Sequence, residues 1–294
     1  MQQLQTFRDV YVQGGYSQAA AESGNSVAKV WQQIRSLEQQ YAVKLFEKSG
    51  RAVYPTAAAD RLFAVVEDLL AGLESTFDVV GDEGARTRPL RIVTGVRMMM
   101  EDLAAPLTEF RQQASCPLVI RNGGNQRAEE LLLSGEADLS LALEPGVGKA
   151  SSAIHYEPAW YVDFLAIAPR RHPFAQKATS SLRELVRHPL IVTAEGTHGR
   201  DALEQALLRE RLKATIATET DNSAFTISCV QAGMGVGIVA GRADGPLCTK
   251  LAVRSLRRQL GRRQIMFMWR KGRLLTEAEQ QLIDTVNRHR SPTT

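Results

Sequence analysis

Apolar positions recur at helical spacing through the first eighty residues. Leu4, Phe7, Val10 and Tyr11 mark a first helix that Gly14-Gly15 ends. Ser17 then caps a short Ala-rich helix, Gln18 to Glu22, and Gly24-Asn25 makes a tight turn. A third helix, capped by Ser26, carries Val30, Ile34, Leu37 and Tyr41 as one buried stripe, with Lys29, Gln32, Gln33, Arg35 and Ser36 opposite. Leu45 and Phe46 open a hairpin whose tip, Lys48-Ser49-Gly50-Arg51, combines turn residues with positive charge, and Val53-Tyr54 returns. From Ala57 to Val80 a longer helix spaces Leu62, Val66, Leu69, Leu73, Phe77 and Val80 by threes and fours, a seam that requires a partner and predicts a dimerisation helix.

After a Gly/Arg/Pro-containing stretch, 81–89, the pattern changes to short apolar strands alternating with helices. Strands are expected near Leu90 to Thr94, Pro117 to Arg121, Asp138 to Leu143, Trp160 to Ala168, Pro189 to Thr193, Ile216 to Thr218 and Val236 to Ala240. Helices are expected at Glu101 to Gln113, Gln126 to Ser134, Leu182 to Arg187, Arg200 to Leu212 and Ser223 to Ala232, and a final one opens at a capping box, Thr276 with Glu279. Ser181 with Glu184 is a second such box. Strands joined by crossover helices imply a mostly parallel sheet covered on both faces.

The 294 residues fit two domains, and 44% hydrophobic with 23% charged residues excludes a disordered or fibrous chain. No run suffices to span a membrane and the N-terminus lacks the features of a signal peptide, so a cytoplasmic protein is expected. Three scattered cysteines, Cys116, Cys229 and Cys248, argue against a disulfide framework or structural zinc; no metal and no cofactor is expected. The formal net charge of +4 divides unevenly: +2 over residues 1–56, −4 over 57–88 and +6 beyond. Part of the last lies in an acid-free run with Arg254, Arg257, Arg258, Arg262, Arg263, Arg270, Lys271 and Arg273, which reads as a solvated surface.

Three helices followed by a basic hairpin form the winged variety of helix-turn-helix. At Leu4-x-x-Phe7, Tyr16-Ser17-Gln18-Ala19-Ala20, Ser26, Val30, Gln33-Ile34-Arg35-x-Leu37-Glu38, Val43-Lys44-Leu45-Phe46-Glu47-Lys48, Gly50-Arg51, Thr56 and Ala58 the chain resembles the LysR-type transcriptional regulators, in order and without a gap. Gly135-Glu136-Ala137-Asp138, His172-Pro173 and Val230-x-x-Gly233-Met234-Gly235-Val236-Gly237-Ile238 extend the likeness more loosely. Ser23, Val27, Ala28, Trp31, Pro55 and Ala59 depart from the family's usual residues.

The resemblance implies a multidomain chain: a winged helix-turn-helix over 1–58, a linker or dimerisation helix over 59–80, a hinge over 81–89, and an α/β sensor over 90–294. That sensor would be two-lobed and similar to periplasmic binding proteins, with lobe I near 90–160 and 265–294 and lobe II near 161–264. It implies a homodimer or homotetramer that binds double-stranded promoter DNA and a small-molecule effector, with no membrane partner. Ser26, Lys29, Trp31, Gln32, Gln33, Arg35 and Ser36 would face DNA, with Lys48 and Arg51 on phosphates. Trp31 either tucks into the core or meets a thymine methyl.

Binding-protein geometry puts the effector between lobes, at strand ends and helix N-termini that favour anions. The candidates are Thr94, Gly95 and Arg97, then Gly124, Asn125 and Gln126, then Thr197 and His198, and finally Thr220 and Asp221. Arg97 could pair bidentately with a carboxylate or similar anion. An alternative is a ligand-independent regulator whose C-terminal domain serves only oligomerisation. Enzyme readings lack support: there is no nucleotide-binding glycine loop after a strand, no Gly-x-Ser-x-Gly and no His-Glu-x-x-His.

Overall fold

The computed structural model describes residues 1–49, 52–80, 88–114, 116–146, 148–176 and 181–290. The chain divides into two compact units, Met1–Asp82 with Arg270–Leu275, and Glu83–Trp269 with Thr276–Thr294.

In the first unit α1 (Gln2–Gln13), α2 (Tyr16–Ser23) and α3 (Val27–Tyr41) precede an antiparallel hairpin of β1 (Phe46–Ser49) and β2 (Ala52–Pro55), and α4 (Ala57–Val80) follows. The second helix begins two residues earlier than expected, at Tyr16 after Gly15, so Ser17 lies inside it and caps nothing. Ser26 does cap α3, accepting from the Lys29 N–H at 3.2 Å. The stripe of Val30, Ile34 and Leu37 closes on Phe7, Val10, Ala19, Ala20, Leu45 and Phe46 in one core. Glu38 is buried at the end of that stripe, where Leu45 N–H (2.9 Å), Phe46 N–H (3.3 Å) and the Lys44 ammonium (2.9 Å) all donate to its carboxylate. Burial pushes this carboxyl up, but those donors outweigh it and hold it below the usual carboxylate range.

Helix α4 corrects the expected seam. Val66 is 1% exposed and joins Ala59 and Leu70 in the core of its own unit, with Leu62 packed alongside, so Val66 is unavailable to a partner. Among the described side chains of α4, Val65, Leu69, Val79 and Val80 are the large apolar ones exposed and Leu73 is half-buried; Phe77 of the expected seam lies outside the described side chains. The acidic face of α4 is also partly neutralised: Arg270 reaches Glu67 (3.1 Å) and Glu74 (3.5 Å), and Lys271 reaches Asp68 (2.7 Å).

Among the described residues the second unit holds nine strands: β3 (Leu90–Thr94), β4 (Leu118–Asn122), β5 (Leu139–Leu143), β6 (Ile154–Ala168), β7 (Leu190–Thr193), β8 (Ile216–Thr220), β9 (Val236–Gly241), β10 (Ala252–Ser255) and β11 (Arg262–Arg270). Their order is β4-β3-β5-β11-β6-β9-β7-β8, with β10 beside β6. The expected mostly parallel sheet is mixed. Pairs β3/β4, β3/β5, β7/β8 and β7/β9 are parallel, whereas β11/β5, β6/β9 and β10/β6 are antiparallel. Part of the basic run forms the central strand β11, in which Ile265, Phe267 and Met268 are fully buried. Arg262, at the exposed start of that strand, stacks its guanidinium 3.7 Å from the ring centre of the exposed Tyr161, so its charge stays at the surface while the apolar middle of β11 is buried.

The helices of this unit are α5 (Val96–Met98), α6 (Ala104–Gln113), α7 (Asn125–Leu133), α8 (Leu182–Leu185), α9 (His198–Arg209), α10 (Ser223–Gln231), α11 (Arg257–Leu260) and α12 (Glu277–Arg290). A π turn, Met99–Leu103, joins α5 to α6. The box opening α12 is reciprocal: Thr276 N–H donates to Glu279 (2.8 Å) and Glu279 N–H to the Thr276 hydroxyl (3.4 Å). Gly237 abuts Val230 so closely that a Cβ would lie 2.6 Å from it, which lets α10 pack directly on β9.

Candidate functional site

On α3 the face opposite the core presents Lys29, Trp31, Gln32, Arg35 and Gln39 to solvent. Trp31 is 42% exposed, with the Arg35 guanidinium 5.0 Å from its ring centre, so it does not enter the core. Gln33 and Ser36 leave this face. Gln33 accepts from the Thr6 hydroxyl at 2.5 Å and Ser36 from the Gln3 amide at 2.9 Å, so both serve the α1–α3 contact. The Ser26 hydroxyl is likewise occupied as the helix cap. Lys48 stands in β1, and Arg51 lies outside the described residues.

In the second unit a cleft of about 900 Å³ opens where helix N-termini meet strand ends. Gly95, Gly124 and Thr197 precede α5, α7 and α9 with no side-chain cap, whereas Asn222 caps α10 by accepting from Ala224 and Phe225 N–H. The first N–H groups of a helix have no intrahelical partner, and the helix dipole adds partial positive charge there. A Cβ at Gly95 or Gly124 would meet no atom within 4 Å, so both backbones stand open.

Eight of the ten residues expected in the cleft line it: Gly95, Arg97, Gly124, Asn125, Gln126, Thr197, His198 and Asp221. Thr94 and Thr220 do not. Thr94 is 2% exposed inside β3, and the Thr220 hydroxyl is held against Thr226 (2.7 Å) and the Val192 carbonyl (3.4 Å). Several lining side chains are also engaged locally. Asn125 donates to the Leu143 carbonyl, Gln126 to Glu130 (3.2 Å) and Thr197 to the Ala194 carbonyl (2.7 Å). What remains open to a ligand is chiefly backbone N–H. Asn122, Lys149, Thr193 and Ser223 line the cleft without having been expected; Lys149 follows no strand-to-helix junction, the signal on which the others rested.

Arg97 is the main electrostatic correction. Its guanidinium is 7% exposed and already meets Glu101 (2.9 Å) and Asp102 (3.1 Å). Arg290 completes the cluster, 3.0 Å from the second oxygen of Asp102. The π turn explains the geometry, because its wider winding lets carboxylates four and five residues on reach one guanidinium. Burial pushes the Glu101 carboxyl up, against the pull of Arg97. His198 is half-buried; desolvation, then Arg263 and Lys149, lower its pKa, opposed by Asp201 and Glu144. Its imidazole is therefore mostly neutral near pH 7.

Two family models match this chain: the bacterial regulatory helix-turn-helix protein, lysR family, over residues 1–60, and the LysR substrate binding domain over residues 83–291. The HTH-type transcriptional activator CmpR of Synechocystis sp. is 26% identical over 244 residues, covering 82% of this chain and 78% of that protein. Among solved structures, the cofactor-binding domain of the Cbl transcriptional regulator superposes with a TM-score of 0.61 at 22% identity, over 69% of this chain and 89% of that one. The effector binding domain of QuiR, solved in complex with shikimate, gives 0.58 at 14% identity over 69% of this chain and 97% of that one.

Proposed function

The chain belongs to the LysR-type transcriptional regulators, and from that premise we propose that it senses a small anionic metabolite in the cleft and binds promoter DNA as a homo-oligomer. Its winged unit reads bases through Lys29, Trp31, Gln32 and Arg35 and pairs through the outer stripe of α4. The observation that carries the ligand reading is the convergence of three uncapped helix N-termini, at Gly95, Gly124 and Thr197, on one open cleft. Anions suit such a lining because the backbone donors are already fixed and carry the positive end of each helix dipole. The same fold in QuiR is solved with shikimate, a hydroxylated carboxylate. A sensor that served only oligomerisation would have no use for an open cavity of about 900 Å³ on which three helix starts without side-chain caps converge.

Closure of the lobes on an anion would bias one arrangement of the oligomer over another and so change its DNA affinity by the ligand's differential affinity for the two. The experiment is a melting screen of the full chain against small carboxylates, oxyanions, neutral sugars and amines. A matching anion at a hundredfold excess over its Kd should add about 2.7 kcal/mol of stability and alter the footprint on DNA. Stabilisation by neutral or cationic compounds alone would contradict the reading.

A further inference from the structure

We infer that Lys149 and His198, which flank Gly146 at the cleft, select an effector carrying a second negative charge beyond the one held at the helix N-termini. The inference rests on the anion reading above and names the charge class of that ligand.

Arg97 is neutralised by Glu101 and Asp102, and Arg127 by Glu130 at 3.1 Å. Lys149 is the remaining lysine or arginine on the lining, and among the described residues it has no carboxylate within ion-pairing distance. It projects from the loop between β5 and β6, while His198 is the first residue of α9, after β7. The two elements meet at Gly146: a Cβ built there would lie 3.3 Å from Lys149 Cδ and 3.7 Å from His198 Cε1. An added Cβ at 146 would therefore crowd Lys149 and touch His198 at ordinary van der Waals distance.

Helix N-termini supply partial charges, enough to favour one small anionic group. Lys149 adds a whole charge on an exposed, flexible stem that can fold onto a ligand without first breaking an ion pair. His198 adds a second response. Arg263 and Lys149 press its proton off, Asp201 and Glu144 hold it on, and burial favours the neutral ring. An anion seated beside it reverses that balance, so binding takes up a proton and strengthens as pH falls.

The test uses sulfate, which stays dianionic across the neutral range, and acetate as its monoanionic counterpart, each titrated into the full-length protein while its melting temperature is read. Sulfate should bind more tightly than acetate and more tightly near pH 6 than near pH 8. Lys149→Gln should weaken sulfate about tenfold or more, bringing it close to acetate, while Lys149→Arg retains the preference. His198→Gln should flatten the pH dependence. General salting by sulfate acts on every variant alike, so the difference between variants reads the site. If wild type responds to sulfate and Lys149→Gln responds equally, this inference is overturned while the anion cleft stands. If neither anion stabilises wild type, the anion cleft and this inference fall together.

Discussion

Glu38 shows how one buried carboxylate can organise a junction. It closes the turn from α3 into the wing by accepting two backbone N–H groups and an ammonium. Glu38→Ala would orphan both backbone donors at about 1–3 kcal/mol each, readable as a lower melting temperature. Because its folded pKa is depressed, Glu38 contributes stability above the unfolded carboxyl pKa, near 4.3, and that contribution is lost as pH falls through the folded value. A melting series from neutral to acid pH should therefore fall less steeply in Glu38→Gln than in wild type. Arg97 leads to a different expectation. Removing its guanidinium leaves Glu101 without its partner and Asp102, 2% exposed, with Arg290 alone, so Arg97→Ala should destabilise the ligand-free protein in denaturant melts, by less than the about 3–5 kcal/mol of a fully uncompensated buried charge. An arginine after a strand end was legible in the sequence. Its two carboxylate partners were not, because ordinary helical periodicity sets positions four and five residues on some 100° apart and only the π turn brings both round.

At the scale of elements, Val30, Ile34 and Leu37 of the expected stripe turn inward, because a 3.6-residue period has one inward solution on a helix flanked by polar residues, but Tyr41, the last residue of α3, is 51% exposed and lies beyond the core. Helix α4 was harder. It carries two apolar stripes one residue apart, and period alone cannot say which packs within its own unit. The fold resolves this: Ala59, Val66 and Leu70 turn inward, leaving Val65 and Leu69 outside. Leu69→Asp should therefore shift the sedimenting species toward monomer with little loss of melting temperature, whereas Val66→Asp should unfold the winged unit by several kcal/mol. Helix α3 divides likewise. Gln32→Ala and Arg35→Ala should alter which DNA sequences are preferred, by about 1–3 kcal/mol per base contact in competition binding. Gln33→Ala should lower stability by about 1 kcal/mol through the lost Thr6 bond and leave the preference in place. Strand β11 went unread because Arg262, Arg263 and Arg270 bracket its apolar core and dominate the local composition.

For the whole molecule, the alternation of strand and helix foretold an α/β sensor, and strand-to-helix junctions foretold eight of the residues that line the cleft. The mixed sheet could not be foretold, since strand direction follows from which strands become neighbours, and β6 and β11 join through long-range pairings. Lys149 escaped for a related reason: it reaches the cleft from a loop, without the helix start that marks the other positions. Whether an oligomer of this chain reads DNA sequence through the exposed face of α3 is decided by selection from a random duplex pool. Wild type should enrich an inverted repeat of two half-sites, and the combined Gln32→Ala and Arg35→Ala variant should lose or change that repeat while still binding DNA in a salt-dependent manner. Salt-dependent binding by wild type with no enriched sequence, or an identical repeat from the variant, would contradict it.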